Sequence, residues 1–228
     1  MQNGIKPSKR PRGRPRQFDA DTALDSAMRV FWTHGFAGTS LDQLGEAMRM
    51  NRPSIANAFG DKQGVYRLAL ARFVERMKSG AGAALADEPD LKKALMAFYD
   101  AALEVYCGSR GAPGCFVFCT APVEAPAHPD VQRDLRQIIG ELDGVLAARF
   151  ARAQREGDVP KSADVDAVGR LAQAVLHSLA IRARAGEPRT RLHAMAESAV
   201  RMLTGKRQVG TIGEHSQSAS AHSRKPRS

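Results

Sequence analysis

Apolar residues recur at every third or fourth position along almost the whole stretch from residue 20 to residue 204, and no segment alternates as an amphipathic strand does. The spacing is clearest at Leu24, Ala27, Met28 and Phe31, which fall on one face of a helix. Glycine and proline divide this pattern into separate segments. The sequence therefore predicts an all-α protein of about nine helices.

Length and hydropathy limit the class of protein. A chain of 228 residues with 43% hydrophobic content can bury a core of ordinary size, and it suits one small domain joined to a larger one. No run approaches the ~18 apolar residues of a membrane span, and the basic N-terminus lacks the apolar run of a secretory signal. We expect a cytoplasmic protein that does not contact membranes.

The positive charge is concentrated at the two ends of the chain. Of the net charge of +10, residues 1–17 carry +6 and residues 206–228 carry +4, whereas residues 18–205 hold 23 basic and 23 acidic side chains. Both ends have compositions that cannot bury apolar surface, so we predict a disordered basic arm and a disordered tail. Long-range attraction to DNA phosphate would come from these ends.

The first part of the chain carries a series of helix start and stop signals. Asp19 marks the start of the first helix, and Gly35 favours a left-handed stop at its end. Ser40 and Gln43 form a capping box for a short second helix, and Asn51 can cap a third, also short. Two short helices joined by a tight turn are typical of a helix-turn-helix.

The remaining helices are longer. We predict them at residues 90–107, 115–125, 129–156, 163–185 and 188–204. Apolar stripes run along the last two, formed by Val165, Val168, Ala172, Val175 and Leu179 and by Leu192, Met195, Ala199 and Met202. The stripes alone fit a subunit interface and an intramolecular core equally well.

The segment from Thr39 to Val65 resembles the helix-turn-helix of the TetR family of bacterial transcriptional regulators, and the match extends over residues 18–66. This resemblance implies a helix-turn-helix DNA-binding domain at 18–64, with its motif at about 40–59, and a helical ligand-binding and dimerisation domain at 65–205. It also implies a homodimer that binds palindromic or near-palindromic operator DNA. A small-molecule effector of unknown identity would release this repressor.

The third helix should enter the major groove, with Ile55, Ala58 and Phe59 turned toward the core. Its outward side would then carry the groups that meet DNA, with arginine suited to guanine, asparagine to adenine, and serine to a base or phosphate. These outward residues are Arg52, Pro53, Ser54, Ala56 and Asn57. Ala56 stands where TetR-like proteins usually carry a phosphate-contacting tyrosine.

Phosphate contacts are expected at two helix starts. Thr39 and Ser40 would present hydroxyls and free amides to phosphate at the start of the second helix. The resemblance implies a further phosphate contact from Lys62, at the start of the fourth.

The arm carries the sequence Arg12-Gly-Arg-Pro-Arg16, which resembles an AT-hook core. In that reading Arg14 and Arg16 lie along a narrow A·T minor groove. The alternative is that the arm only supplies charge for phosphate, as any basic tail does.

The candidate ligand pocket lies in the second domain. The segment from Arg110 to Ala121 resembles one subgroup of TetR-like proteins, in which it leads into a helix beside the pocket. We therefore consider Cys115, Phe116, Phe118 and Cys119 as pocket residues, together with His177, although ordinary core packing is the alternative for each.

The cysteines suggest a second function. Cys107, Cys115 and Cys119 are too few for a disulfide framework and lack zinc-site spacing, so we expect free thiols and no metal or cofactor. Cys115 and Cys119 would share one helix face, which allows a thiol-based redox or electrophile sensor on the same scaffold. No catalytic motif is present, and we therefore expect no enzyme.

Overall fold

The computed structural model describes residues 19–108 and 113–205, and over these residues the protein consists of nine helices joined by short turns and loops, without strands. The helices are α1 (Ala20–His34), α2 (Leu41–Met48), α3 (Arg52–Phe59), α4, α5 (Leu91–Tyr106), α6 (Phe116–Glu124), α7 (Pro129–Glu156), α8 (Val165–Arg184) and α9 (Arg189–Thr204). Helix α4 runs without a break through Lys62–Met77, a π-helical segment Lys78–Gly82, and Ala83–Asp87. The all-α prediction is confirmed, and α5 to α9 begin and end within two residues of their predicted bounds.

The capping signals form as the sequence predicts. Ser40 Oγ accepts a hydrogen bond from the Gln43 amide at 3.2 Å, and Gln43 Oε1 accepts one from the Ser40 amide at 2.7 Å. Asn51 Oδ1 accepts from the Ser54 amide at 2.8 Å. Gly35 ends α1 at a φ of 72°, a conformation that glycine adopts without a Cβ clash. These caps fix the lengths of α1, α2 and α3.

The core is continuous between the N-terminal helices and the rest of the protein. Phe116, at the start of α6, packs edge-on against Tyr66 and Phe73 of α4, with ring centroids 5.8 and 5.9 Å apart. Trp32 of α1 packs on Phe116 and on Phe73 in the same cluster. Helix α6 therefore touches both α1 and α4 through buried aromatic rings.

Two local expectations need correction. Ala58 is exposed, because α3 turns only Ile55 and Phe59 into the core. Cys115 lies just outside α6, as its N-cap residue in an extended conformation, so it does not share a helical face with Cys119. On α8, Val175 and its predicted stripe pack inward against the core, which is the second of the two alternatives left open for that stripe.

A different apolar face of α8 and α9 meets solvent. Leu171 and Ile181 of α8 are each 59% exposed, and Met202 of α9 is 78% exposed. We predicted that Met202 shares one apolar stripe of α9 with Leu192 and Ala199. The structure separates them, because Met202 is exposed whereas Leu192 and Ala199 are buried. In the part of the chain that the structure describes, no helix has the length and apolar content required to cross a membrane.

Candidate nucleic-acid interface and cavity

Helix α3 projects most of its surface away from the protein. Ile55 and Phe59 anchor it, and its other residues are exposed, including Ser54 and Asn57. Pro53 occupies the first turn, where a missing amide hydrogen leaves no helical acceptor unpaired. A helix of eight residues held by two apolar side chains has the shape that enters the DNA major groove.

Arg52, at the start of α3, is engaged in an ion pair. Its Nε and Nη2 donate to the two carboxylate oxygens of Asp42 on α2, at 2.8 and 2.6 Å. Both side chains are largely exposed. The pair fixes the orientation of the guanidinium and leaves its other N–H groups free to meet a base or phosphate.

Thr39 and Ser40, just before α2, both make hydrogen bonds within the protein. The Thr39 side chain is buried, at 2% exposure, and its hydroxyl donates to the Gly35 carbonyl at 2.7 Å. Ser40 remains exposed, although its hydroxyl and amide both belong to the capping box. Of the two hydroxyls expected at phosphate, the structure thus holds that of Thr39 inside the protein.

Lys62 has an internal role that sequence reasoning missed. Its Nζ donates to the carbonyl oxygens of Phe36 and Thr39, at 3.0 Å each, and lies 4.3 Å from the centroid of the Phe36 ring. The ammonium group thereby holds the α1–α2 turn against the start of α4. The sequence signal was present, since lysine commonly satisfies carbonyls left free near a helix end, but its partners lie more than 20 residues away.

Arg14 and Arg16, expected in the minor groove, lie outside the described residues. Their contacts stay a prediction.

A cavity of about 350 Å³ lies among α4, α5, α6, α7 and α8. Its wall is almost entirely apolar, and its residues include Phe73, Met77, Ala81, Phe98, Val117, Leu142, Val145 and Leu176. A more open groove of about 410 Å³ between α4 and α7 shares Val74, Lys78, Ile138 and Glu141 with it. The cavity is within the size range of small-molecule sites.

Two of the predicted pocket residues line this cavity, namely Cys115 and Phe118. Phe116 is instead buried in the aromatic cluster with Trp32, Tyr66 and Phe73. His177 packs on the Phe118 ring, with centroids 3.9 Å apart, and burial lowers its pKa. Cys119 points its thiol toward the Ala180 carbonyl, at 3.9 Å.

Sequence reasoning missed the cavity residues of α4 and α5, above all Phe73, Phe98 and Tyr106. Helical periodicity identifies buried positions on each helix separately. It does not indicate which buried side chains of different helices face a common space.

The thiols are held in their neutral form. Burial raises the pKa of Cys115 to about 12 and raises those of Cys119 and Cys107 as well. Because the thiolate is the reactive species, burial suppresses the chemistry that a thiol sensor needs.

Helix α6 connects the cavity to the N-terminal helices. Val117 and Phe118 line the cavity. On the same helix Thr120 Oγ1 shares a 2.7 Å hydrogen bond with the hydroxyl of Tyr66 on α4, and both groups are buried. A displacement of α6 by a molecule in the cavity would therefore act directly on α4.

Comparison with known proteins agrees with this geometry. The profile of the bacterial regulatory proteins, tetR family, matches residues 23–69. The HTH-type transcriptional repressor ComR of Escherichia coli is 30% identical over 195 residues, covering 85% of this chain and 93% of ComR. Among solved structures, a cysteine mutant of the TetR family transcriptional regulator CifR bound to 26-base-pair operator DNA is 32% identical, with a TM-score of 0.77.

That match covers 82% of this chain and 98% of the CifR chain. A TetR family regulator from Cytophaga hutchinsonii shares the fold with a TM-score of 0.71 at 22% identity. The agreement with ComR extends well beyond the helix-turn-helix, over most of both chains. The chain belongs to the TetR family of bacterial transcriptional regulators.

Proposed function

We propose that this regulator is a repressor that binds its operator as a homodimer and leaves it when a small molecule enters the cavity. The observation that carries the proposal is the double role of α6, which lines the cavity and is joined to α4 through the Thr120–Tyr66 hydrogen bond. In this account residues 18–64 bind DNA and residues 65–205 bind the ligand and the second subunit. As a bacterial DNA-binding protein it would act in the cytoplasm.

The DNA contacts follow from the exposure of α3. Arg52, Ser54 and Asn57 would meet base edges in the major groove, while Pro53 packs beside them. Ser40, exposed at the start of α2, would meet phosphate. The CifR structure, solved with double-stranded operator DNA, supports this use of the fold.

The exposed apolar face of α8 and α9 supports the homodimer. On α8, Leu171, Ala174, Ser178 and Ile181 follow spacings of three, four and three residues, as the contact positions of paired helices do. Pairing these faces about a two-fold axis would bury Leu171, Ile181 and Met202, which are exposed to solvent in the single subunit.

The dimer gives the ligand a way to act. Two recognition helices must lie about 34 Å apart to enter successive major grooves on one side of the DNA. Movement of α4, transmitted from α6, would change that distance. By linkage, ligand and DNA should weaken each other's binding by the same factor.

Reciprocal titration tests this coupling. Prodan, a neutral fluorescent naphthyl ketone, serves as a probe for the apolar cavity, and operator affinity is measured by fluorescence anisotropy. We expect Prodan to weaken operator binding by about 5-fold to 150-fold, and operator to weaken Prodan binding equally. Operator affinity that is independent of bound Prodan would contradict the proposed release.

Two tryptophan substitutions test whether Prodan binds in the cavity. Val145 is half-exposed and lines the cavity, so Val145→Trp should fill it, abolish Prodan binding and leave operator binding intact. Val123 is 76% exposed on α6, and Val123→Trp should preserve both activities. If both variants behave alike, the probe does not bind in the cavity.

Negative charges placed on the exposed face of α8 test the proposed dimer. Leu171→Glu with Ile181→Glu should give monomers in analytical ultracentrifugation and abolish high-affinity operator binding, because two carboxylates would enter an apolar interface. Val123→Glu places the same charge on another exposed valine and should leave the dimer unchanged. A double variant that remains dimeric would exclude this interface.

A further inference from the structure

The turn between α2 and α3 contains a backbone conformation that is unusual for its residue. Arg49 has a φ of 55° and a ψ of 41°, and in the part of the chain that the structure describes no other residue except glycine has a positive φ. Its amide donates to the Glu46 carbonyl at 3.2 Å, and the Met50 amide donates to the Gly45 carbonyl at 2.9 Å. These two hydrogen bonds form a Schellman motif, in which glycine is the usual residue at the left-handed position. Arginine there adds a Cβ atom that the turn itself does not favour.

Contacts within the subunit do not offset this strain. A side chain with a Cβ atom is destabilised in the left-handed conformation, and such conformations cluster at sites where the side chain has a functional use. The Arg49 side chain is exposed, so core packing does not account for the arginine. Among residues 19–108 and 113–205 its guanidinium has no hydrogen-bond or ion-pair partner, although Glu46 precedes it by three residues. The use of this side chain is therefore outside the subunit.

The charge of the first three helices limits how they can attract phosphate. Residues 19–64 contain four basic and six acidic side chains, which give this segment a net charge of −2 with histidine neutral. Three of the four basic groups make hydrogen bonds or ion pairs inside the protein, namely Arg29, Arg52 and Lys62. Arg49 is the fourth. It is therefore the one basic group of residues 19–64 that is not already engaged.

The place of Arg49 in the motif decides what its guanidinium can meet. In a helix-turn-helix the first helix crosses the phosphate backbone, and the second begins in the major groove. The turn between α2 and α3 would therefore pass over a phosphate strand. Arg49 lies in this turn, three residues before Arg52 at the start of α3, which keeps the two Cα atoms within about 11 Å of each other. A guanidinium carries several N–H donors in one plane and suits the oxygens of a phosphate.

We propose that Arg49 binds a DNA phosphate beside each recognition helix, and that the contact with DNA offsets the strain of its left-handed backbone. The inference rests on the proposed function, because it assumes that α3 enters the major groove. It adds a contact outside the residues that would read bases. A phosphate contact carries no sequence information, so Arg49 should strengthen binding to operator and to random DNA by the same factor.

Replacement of Arg49 by glycine separates DNA binding from folding. Arg49→Gly removes the guanidinium and keeps the left-handed turn without a Cβ atom, so its melting temperature should equal or exceed that of the unaltered protein. Fluorescence anisotropy of the full-length protein should show operator and random DNA bound at least about tenfold more weakly, the effect of one hydrogen bond to a charged group. The slope of log affinity against log salt should become shallower by about 0.9 for each lost contact, and thus by about 1.8 for a dimer.

Three further variants assign the effect to the charge at this position. Arg49→Lys keeps the charge and should retain the salt slope. Arg49→Asn suits the left-handed conformation but carries no charge, so it should behave as Arg49→Gly does. Arg155→Ala removes an exposed arginine near the end of α7, about 40 Å along the helix from His128. His128 packs on Phe36 of the DNA-binding domain, so Arg155 lies far from DNA and its loss should leave the slope unchanged.

The outcomes separate the inference from the proposed function. An unchanged salt slope in Arg49→Gly, with operator binding intact, overturns the inference and leaves α3 as the recognition helix. An equal decrease in slope in Arg155→Ala overturns it as well, since net charge and not a contact would then be responsible. Weakening confined to operator DNA would make Arg49 a base-reading residue, and a lowered melting temperature in Arg49→Gly would show that its backbone is not strained. If the unaltered protein binds no DNA, the proposed function fails together with the inference.

Discussion

Arg52 and Asp42 face each other across the α2–α3 turn in a two-point ion pair, with N–O distances of 2.8 and 2.6 Å. The hydrogen bonds from the guanidinium hold the pKa of the Asp42 carboxyl below its usual range, so the pair stays charged to lower pH than a free aspartate would. Exposed pairs of this kind add little to stability. We therefore expect the contact to matter mainly for the orientation in which Arg52 would meet DNA.

Replacing the acid should alter DNA recognition more than folding. We expect Asp42→Asn to strengthen binding to unrelated DNA a few-fold, because a negative charge leaves the phosphate surroundings. If Arg52 reads a base as proposed, discrimination at that base should fall, because the guanidinium loses its fixed orientation. Affinities for operator variants and for random DNA measure both effects.

Glu46→Gln provides the control, since Glu46 is exposed on the same helix and has no contact with Arg52 in the structure. It should strengthen binding to unrelated DNA without changing base preference. Equal loss of discrimination in both variants would mean that Asp42 does not orient Arg52.

Loss of the Lys62 ammonium should affect both stability and DNA binding. Lys62→Ala removes two hydrogen bonds to the Phe36 and Thr39 carbonyls and should lower the free energy of unfolding by about 1–2 kcal/mol. Binding to operator and to random DNA should weaken by the same factor, because neither a stabilised α1–α2 turn nor a phosphate contact distinguishes bases. Thermal melts and DNA titrations measure the two effects, with the exposed Lys92→Ala as control. Unchanged stability would show that the internal contacts are unimportant.

Asn57 should read a base. Asn57 is exposed on α3. Asn57→Ala should therefore weaken operator binding by about 1–3 kcal/mol and relax the base preference at one position in each half-site. Titration against a set of single-base operator variants measures this. Uniform weakening, as expected for Lys62→Ala, would remove Asn57 from the base-reading set.

The thiols should not control operator binding. Since Cys115 has a pKa of about 12, it is protonated throughout the neutral range, and its thiolate fraction rises only as pH approaches that value. Near neutral pH, iodoacetamide should therefore modify the exposed Cys107 before Cys115 and Cys119. A variant with Cys115→Ser and Cys119→Ser should keep its operator affinity. Peroxide-driven release that disappears in this variant would instead favour the thiol-sensor alternative.

Most helix ends could be predicted from signals between residues that are close in the sequence. Caps such as Ser40 with Gln43 and Asn51 act within a few residues, so helix ends could be predicted from adjacent side chains. The inward positions of Ile55 and Phe59 followed from helical periodicity. Ala58 was assigned wrongly because alanine is compatible with either face, and the pattern gave it no preference.

The functional site was less accessible to sequence reasoning. Lys62 looked like a free surface cation because its carbonyl partners are distant in sequence and carry no residue-type signal. The cavity residues Phe73 and Phe98 were not singled out, because a buried aromatic residue on one helix is ordinary until other helices are seen to enclose a space with it. Contacts of this kind depend on how helices pack, which periodicity does not encode.

Selection from a random DNA pool by the purified full-length protein tests most directly whether the protein is a dimeric regulator that recognises a DNA sequence. We expect the enriched sequences to be palindromic or nearly so, with half-sites centred about one helical turn apart, and to lose enrichment with the Leu171→Glu, Ile181→Glu variant. Selection of a single unrepeated half-site, or no enrichment over the starting pool, would contradict the account.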